Sequence, residues 1–357
     1  MIYPKHGLGL LIAGLLVSSQ GMAAEVFNKD GNKLDLTGKV DARHVISDNS
    51  SENGDNAFVR FGFKGQTQIS NDLTGFGRWE SQVAANKTEG GSDAQNGTVT
   101  RFGFAGIKSA SLGSIDYGRN VGVLYDAIGY TDFAPIYGSS TYSQDNFMSK
   151  RSTGLFTYRS PDLAGFKLTL QYQGKNDRTQ ATKSNGDGFG TALTYALSDK
   201  ISLAGAYTKS KRTLLQQQDG QGDDATAWAT AVKYDNNQVY LAAMYSQSKD
   251  MNPYGQSQIA DKTRTVEIIA QYQFLNGLRP SVGFVSQWGD NLQRYDEFSG
   301  GDQTIQKYIA LGSYYYFNKN MLAYVDYKLN LLKDNTFTKE TGVSTKDSLG
   351  MGLVYQF

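Results

Sequence analysis

The sequence contains no cysteine. This excludes a disulfide framework, thiolate metal centres and a cysteine nucleophile. Histidine occurs twice, as His6 and His44, so histidine-rich metal sites and two-metal hydrolases are excluded as well. Proline is scarce, at 5 of 357 residues, which does not fit a proline-rich disordered chain. Charge of one sign is not in excess: Lys and Arg total 35 against 34 Asp and Glu. No global basic field marks a nucleic-acid binder. Glycine, in contrast, is abundant at 40 residues, roughly 11% against a usual value of about 7%. Tyrosine (23) and phenylalanine (18) are also frequent, although mean hydropathy is negative at −0.46. Many aromatics in a polar chain suit short alternating strands better than buried helices.

Residues 1–23 read as a secretory leader. Lys5 and His6 give a modest basic start, and Leu8 to Val17 is an apolar stretch too short for the ~20 residues of a membrane-spanning helix. Gly21 and Ala23 place small residues before a cut between Ala23 and Ala24, with Ala24/Glu25 as the alternative and a short membrane anchor as the plainer reading. No later apolar run is long enough to span as a helix. Strands of a membrane barrel would escape that test, because alternation averages to a polar value.

Alternation with period two is the dominant pattern. Over 33–42, Leu34, Leu36, Gly38, Val40 and Ala42 oppose Lys33, Asp35, Thr37, Lys39 and Asp41. Over 166–173, Phe166, Leu168, Leu170 and Tyr172 oppose Lys167, Thr169, Gln171 and Gln173. The chain closes on Leu349, Met351, Leu353, Tyr355 and Phe357. A soluble sandwich also alternates, but two features favour a membrane barrel. Aromatics recur near strand ends, as at Tyr172, Tyr207, Tyr245 and Tyr327. Short turn signals such as Asn71-Asp72 and Asn276-Gly277 alternate with long polar stretches such as 48–56, 210–225 and 289–306. Short turns on one side and long loops on the other is the outer-membrane arrangement. The count is 16 strands, starting near residues 33, 57, 73, 99, 113, 152, 166, 187, 201, 226, 239, 263, 278, 307, 321 and 348. The expected fold class is all-β: a 16-stranded antiparallel transmembrane β-barrel with an aqueous lumen and one domain over 24–357. One loop, 120–149, lacks alternation and carries Asp126, Asp132 and Asp145 but no cation before Lys150. A long structureless segment in a compact domain points to function; a mobile external loop is the alternative.

Several segments then resemble one family. They are Ala24 to Leu36, Arg60-Phe61-Gly62-Phe63-Lys64-Gly65, Asp116-Tyr117-Gly118-Arg119-Asn120, Asp145-Asn146-Phe147-Met148 and Gly352 to Phe357. Together they resemble the trimeric general porins of enteric bacteria, of the outer membrane porin C and F type, over essentially the whole mature chain. The resemblance implies a homotrimer in the outer membrane of a Gram-negative bacterium. It implies passive passage of ions and small hydrophilic solutes, with no cofactor and no catalysis. It also implies that the third loop, 120–149, folds into the barrel as a constriction. Contacts with outer-membrane lipid and lipopolysaccharide, and use as a phage or colicin receptor, come with the family. Carried over residue by residue, the basic wall is Lys39, Arg60, Arg101 and Arg151, and the facing loop acid is Asp132. Arg119 adds positive charge near the pore or ties the loop to the wall, and Asp126 and Asp145 are further acids that could face the pore.

The sequence departs from the family at two places. The family's loop glutamate is replaced by Ile136, within Pro135-Ile136-Tyr137-Gly138, and the tyrosine before Gly38 is replaced by Thr37. Loss of a carboxylate from a narrow aqueous passage weakens its pull on cations. Weaker cation selectivity than in typical members, or its reversal, is expected. Two other classes compete. A sugar-preferring channel would use Tyr125, Tyr130, Tyr137 and Tyr142 of the loop. A plugged barrel would serve as an adhesin or anchor. An enzyme is disfavoured, because a Ser–His–Asp set would have to rely on His44, which stands beside no nucleophile elbow; a plain lumen or rim position is expected for it.

Overall fold

The structure, a computed structural model, describes residues 23–90, 96–138, 141–142, 145–255 and 258–357. Apart from Ala23, the leader expected over 1–23 lies outside the described residues. The chain forms one antiparallel β-barrel. It runs through β1 (Ala23–Lys29), β2 (Asn32–Ser47), β3 (Phe58–Gln68), β4 (Leu73–Ala84), β5 (Val99–Ser109) and β6 (Gly113–Val121). The 120–149 segment follows, with a helical turn α1 (Tyr125–Ile128). The barrel continues with β7 (Arg151–Arg159), β8 (Phe166–Gln173), β9 (Gly188–Ala196), β10 (Ile201–Lys211), β11 (Asp224–Asp235) and β12 (Val239–Lys249). It ends with β13 (Lys262–Tyr272), β14 (Leu278–Leu292), β15 (Gly301–Tyr316), β16 (Met321–Asn330) and β17 (Ser348–Gln356). Each strand pairs with its neighbours in sequence.

Closure is made at β2. Its edge takes β1 over Asn32–Thr37 and β17 over Lys39–Ser47, so the first and last strands lie end to end in one stave. The barrel therefore has sixteen staves, as its strand pattern implies. Between the two ladders, Gly38 and Phe357 exchange both backbone hydrogen bonds at 3.0 Å. Glycine is required there: a Cβ would stand 2.6 Å from the Phe357 ring and 2.7 Å from the Arg60 carbonyl. Closing the sheet removes the unpaired edges that lipid cannot satisfy.

Alternation decides the two faces. Leu34, Val40 and Ile46 are exposed on the outside of β2, while Asp35, Thr37 and Asp41 are buried inside. His44 shares the outward face with Ala42 and Ile46 and is exposed; it belongs to the rim side of the expectation and not to the lumen. Two departures from the sequence reading are local. β1 was not counted, because Ala23-Ala24-Glu25-Val26-Phe27-Asn28-Lys29 alternates poorly and its ladder slips between Glu25 and Phe27. β14 and β15 extend to Leu292 and from Gly301, into the polar stretch read as a loop over 289–306. The ladder continues there beyond the apolar band, with irregularities at Gln287/Trp288 and Gly289/Leu292.

Candidate pore constriction

The 120–149 segment leaves the wall through a narrow neck. Gly122 donates to Lys150 O at 2.7 Å and Leu124 donates to Met148 O at 3.1 Å. A Cβ on Gly122 would lie 2.1 Å from the Met148 backbone, so only glycine lets the two sides of the neck meet. Past the neck, Val123, Leu124, Ala127 and Ile128 are almost fully buried. They pack on a patch of small inward side chains, including Ala192, Ala206, Ala227 and Ala229. Alanine at these lumen positions leaves the room that the helical turn fills.

Polar rivets fix the rest of the segment inside the barrel. Glu267 on β13 is buried and accepts from Thr131 Oγ1 at 2.5 Å and from Thr141 Oγ1. Asp326 on β16 accepts from the Ile136 backbone N–H at 3.0 Å and from Tyr314 Oη at 2.8 Å. Tyr240 Oη donates to Tyr130 O at 2.7 Å, and Tyr308 Oη donates to Gly138 O at 3.0 Å. These wall tyrosines face inward, unlike Tyr207 and Tyr355, which are exposed on the outside. Each satisfies a loop carbonyl that would otherwise be buried without a partner. Of the loop tyrosines, Tyr142 is wholly buried and donates to Ser246 Oγ at 3.1 Å. Tyr125 donates to Asp132 at 2.8 Å. Burial, then the Asp132 charge, keeps the Tyr125 hydroxyl protonated well above its usual range. The Tyr142 ring is therefore closed to a sugar, whereas the partly buried Tyr125 ring lines the passage.

The space between loop and wall is lined by Lys39, Arg60, Arg101 and Arg151 on one side and Asp132 and Ile136 on the other. Six of the eight residues singled out from the sequence thus meet there. Arg119 and Asp126 are not among the lining side chains. Arg119 donates to Asp145 at 2.5 Å and to Thr100 O at 2.6 Å, tying the end of the loop to the wall. Asp126 pairs with Arg159 at 2.9 Å and accepts from Thr169 at 2.8 Å, on the wall side of the helical turn. Sequence reasoning left out Asp41, Arg43, Glu80, Lys150 and Arg279, which also line the space. Asp41 and Arg43 were within reach, since they share the inward parity of Lys39.

Within the lining, seven side chains are cationic and three, Asp41, Glu80 and Asp132, are acidic. The acids are already engaged. Lys39 pairs with Asp41 at 2.9 Å, Arg101 and Arg78 share Glu80 at 2.6 and 2.7 Å, and Lys150 pairs with Asp132 at 2.9 Å. Arg60 instead donates to the Gln82 amide oxygen at 2.8 Å and lies over the Phe58 ring. Among the described residues no carboxylate lies within 4 Å of Arg60 or Arg151. Ile136 turns its side chain toward β17 and packs with Tyr314, Tyr324 and Val354. Gly350 supplies the notch, since a Cβ there would lie 2.2 Å from Ile136 Cδ1. The passage is a field of opposed charges with a surplus on the basic side.

Comparison with known proteins agrees with this architecture. The family model for Gram-negative porins matches residues 29–357. The chain belongs to the Gram-negative porin family. It is 48% identical to outer membrane protein F of Serratia marcescens, over 99% of both chains. It is 49% identical to outer membrane porin PhoE of Enterobacter cloacae, again over 99% of both. The solved structure of Salmonella typhi OmpF in complex with daunomycin superposes with a TM-score of 0.84 at 42% identity, covering 94% of this chain and all of that one. This porin is accordingly an outer-membrane β-barrel and not an enzyme.

Proposed function

We propose that this porin is a general diffusion channel for ions and small hydrophilic solutes, with a constriction formed by Lys39, Arg60, Arg101, Arg151, Asp132 and Ile136. The mature barrel spans 24–357 after removal of 1–23 on export, and 120–149 is the constriction loop. Family kinship supports assembly as a homotrimer. The observation that carries the selectivity reading is the excess of cationic over acidic side chains lining the passage, with Ile136 at the loop tip. A narrow, water-filled space with low-dielectric walls focuses such a field. The opposed charges order water and polar solutes and disfavour apolar ones. Cations are drawn less strongly than in a passage with an acid at position 136, and the balance leans toward anions.

Swelling of proteoliposomes in neutral sugars of increasing size tests the reading. Entry rates should fall smoothly with solute size and show no saturation. Saturable uptake of one sugar would support a substrate-preferring channel instead, and absence of swelling would support a plugged anchor. Native mass measurement of the detergent-extracted protein tests the trimer.

A further inference from the structure

The return leg of the 120–149 segment is tied to two of the long loops. Asn146 is 1% exposed. Its amide spends both hydrogens on the loop that joins β8 and β9, donating to Ser184 O at 2.7 Å and to Thr182 O at 3.2 Å. The loop between β10 and β11 reaches the same place. Gln216, also 1% exposed, donates to Ser184 O at 2.8 Å and to Ala181 O at 2.7 Å. The Ser184 carbonyl thus accepts from two loops at once, which its two lone pairs allow. All of these groups are sheltered from water, so loss of either amide leaves a carbonyl short of a partner.

Gln216 holds its position because its backbone is fixed. It belongs to a helical turn, α2 (Leu214–Gln217), whose capping box pairs Gln216 with Thr213. Buried Arg212 donates to Gln216 O at 2.9 Å and to Gly222 O at 2.8 Å, fastening the turn to the foot of its loop. The other side of α2 is open, with Leu214 83% exposed. At the far end of the tie, Asn146 precedes a strained stretch. Phe147 and Met148 are buried and both have left-handed backbones, with φ of 54° and 55°. Residues other than glycine adopt that conformation where their surroundings impose it. Met148 O is the acceptor for Leu124 in the neck, and Lys150 and Arg151, just beyond, line the passage. Freed from Ser184, the strained pair can return to the common negative-φ regions, which moves the neck and both cations.

We infer that Gln216 is a positioning residue for the passage and acts through Ser184 and Asn146, so that a displacement of α2 is passed to the return leg and changes the current. The inference rests on the proposed role of 120–149 as the constriction. It is independent of the charge balance of the lining.

Because the chain has no cysteine, a single thiol can be placed on α2. The Leu214→Cys variant is biotinylated through a maleimide, and streptavidin is added to the long-loop side of single channels in a planar bilayer. Open-channel noise should change about twofold or more. Adding Gln216→Ala to the same variant should abolish that response. Lys346, in the last long loop, pairs with Asp334 at 3.7 Å; streptavidin on a Lys346→Cys variant should leave the current unchanged. An equal response at both positions would mean that the load merely covers the mouth. A response that survives Gln216→Ala would mean that the tie carries nothing. Either result overturns the inference. Glu267→Ala, which loosens the same segment from the wall, is the reference and should change the current. If Leu214→Cys is silent while Glu267→Ala responds, the coupling alone fails; silence in both overturns the constriction and the coupling with it. Should the Gln216→Ala barrel fail to insert, Asn146→Ala cuts the tie at its other end and should likewise abolish the response, and persistence there would overturn the inference.

Discussion

Ile136 stands at the proposed constriction, on the inward loop 120–149. Its side chain is apolar and turned into the notch at Gly350, while its backbone N–H is held by Asp326 at 3.0 Å. An acid there would enter the field of Arg60 and Arg151, neither of which has a carboxylate within 4 Å among the described residues. The Ile136→Glu variant should therefore move the reversal potential in a salt gradient toward the cation side, with the barrel intact. A second residue, Asp250, lies in the loop after β12. It is buried, and neither carboxylate oxygen has a hydrogen-bond partner among the described residues. Burial, assisted by Asp261 and Asp219, outweighs Lys249 and Arg212 and raises its pKa from 3.8 to about 6. A raised carboxylate favours the fold fully below its unfolded pKa, and that contribution is lost as pH rises through the folded value. Asp250→Asn should raise the thermal unfolding temperature at about pH 7 and leave it unchanged at about pH 4. Equal effects at both values would assign the change to packing. Single residues were legible where strand parity places them, as for Lys39. They were not where the partner is distant in sequence. Nothing near Arg119 announces that Asp145 holds it, and nothing near Asp126 announces Arg159.

At the scale of elements, the inward loop 120–149 is held by the wall and not by its own structure. Its α-helical turn is four residues long and is followed by a 3-10 turn of three residues, Gly129–Thr131, both too short to be stable alone. The neck at Gly122, the alanine patch and the wall acceptors do the positioning. Glu267→Ala removes the acceptor for both Thr131 and Thr141. Hydrogen bonds to charged groups contribute roughly 1.5–3 kcal/mol each, so the loop should loosen while the barrel persists. Single-channel traces should become noisier and the mean conductance larger. A quiet trace with native conductance would show that Asp326 and the tyrosines suffice. The loop was recognisable in the sequence because alternation stops there. Its anchors were not, because Glu267 lies 136 residues from Thr131. Strand starts were read closely wherever lipid and lumen impose alternation, as at Leu73, Val99 and Ile201. They were missed at Gly301, where the ladder has left the apolar band and no such contrast remains.

At the scale of the molecule, sixteen staves close on themselves through Gly38 and Phe357, and the lumen is divided by one inward loop into an apolar seat and a charged passage. The number of staves followed from counting alternating segments; the way β1 and β17 share a stave did not, since no local pattern reports that two termini meet. A closed, polar-lined barrel makes passive diffusion the natural consequence, and the excess of lining cations makes its sign measurable. The most direct measurement is the reversal potential of single channels of the purified protein in a planar bilayer under a potassium chloride gradient. A channel that opens and shows an anion-leaning potential is the predicted result. A strongly cation-leaning potential would contradict the charge balance read at the constriction, and a silent bilayer would contradict the pore itself.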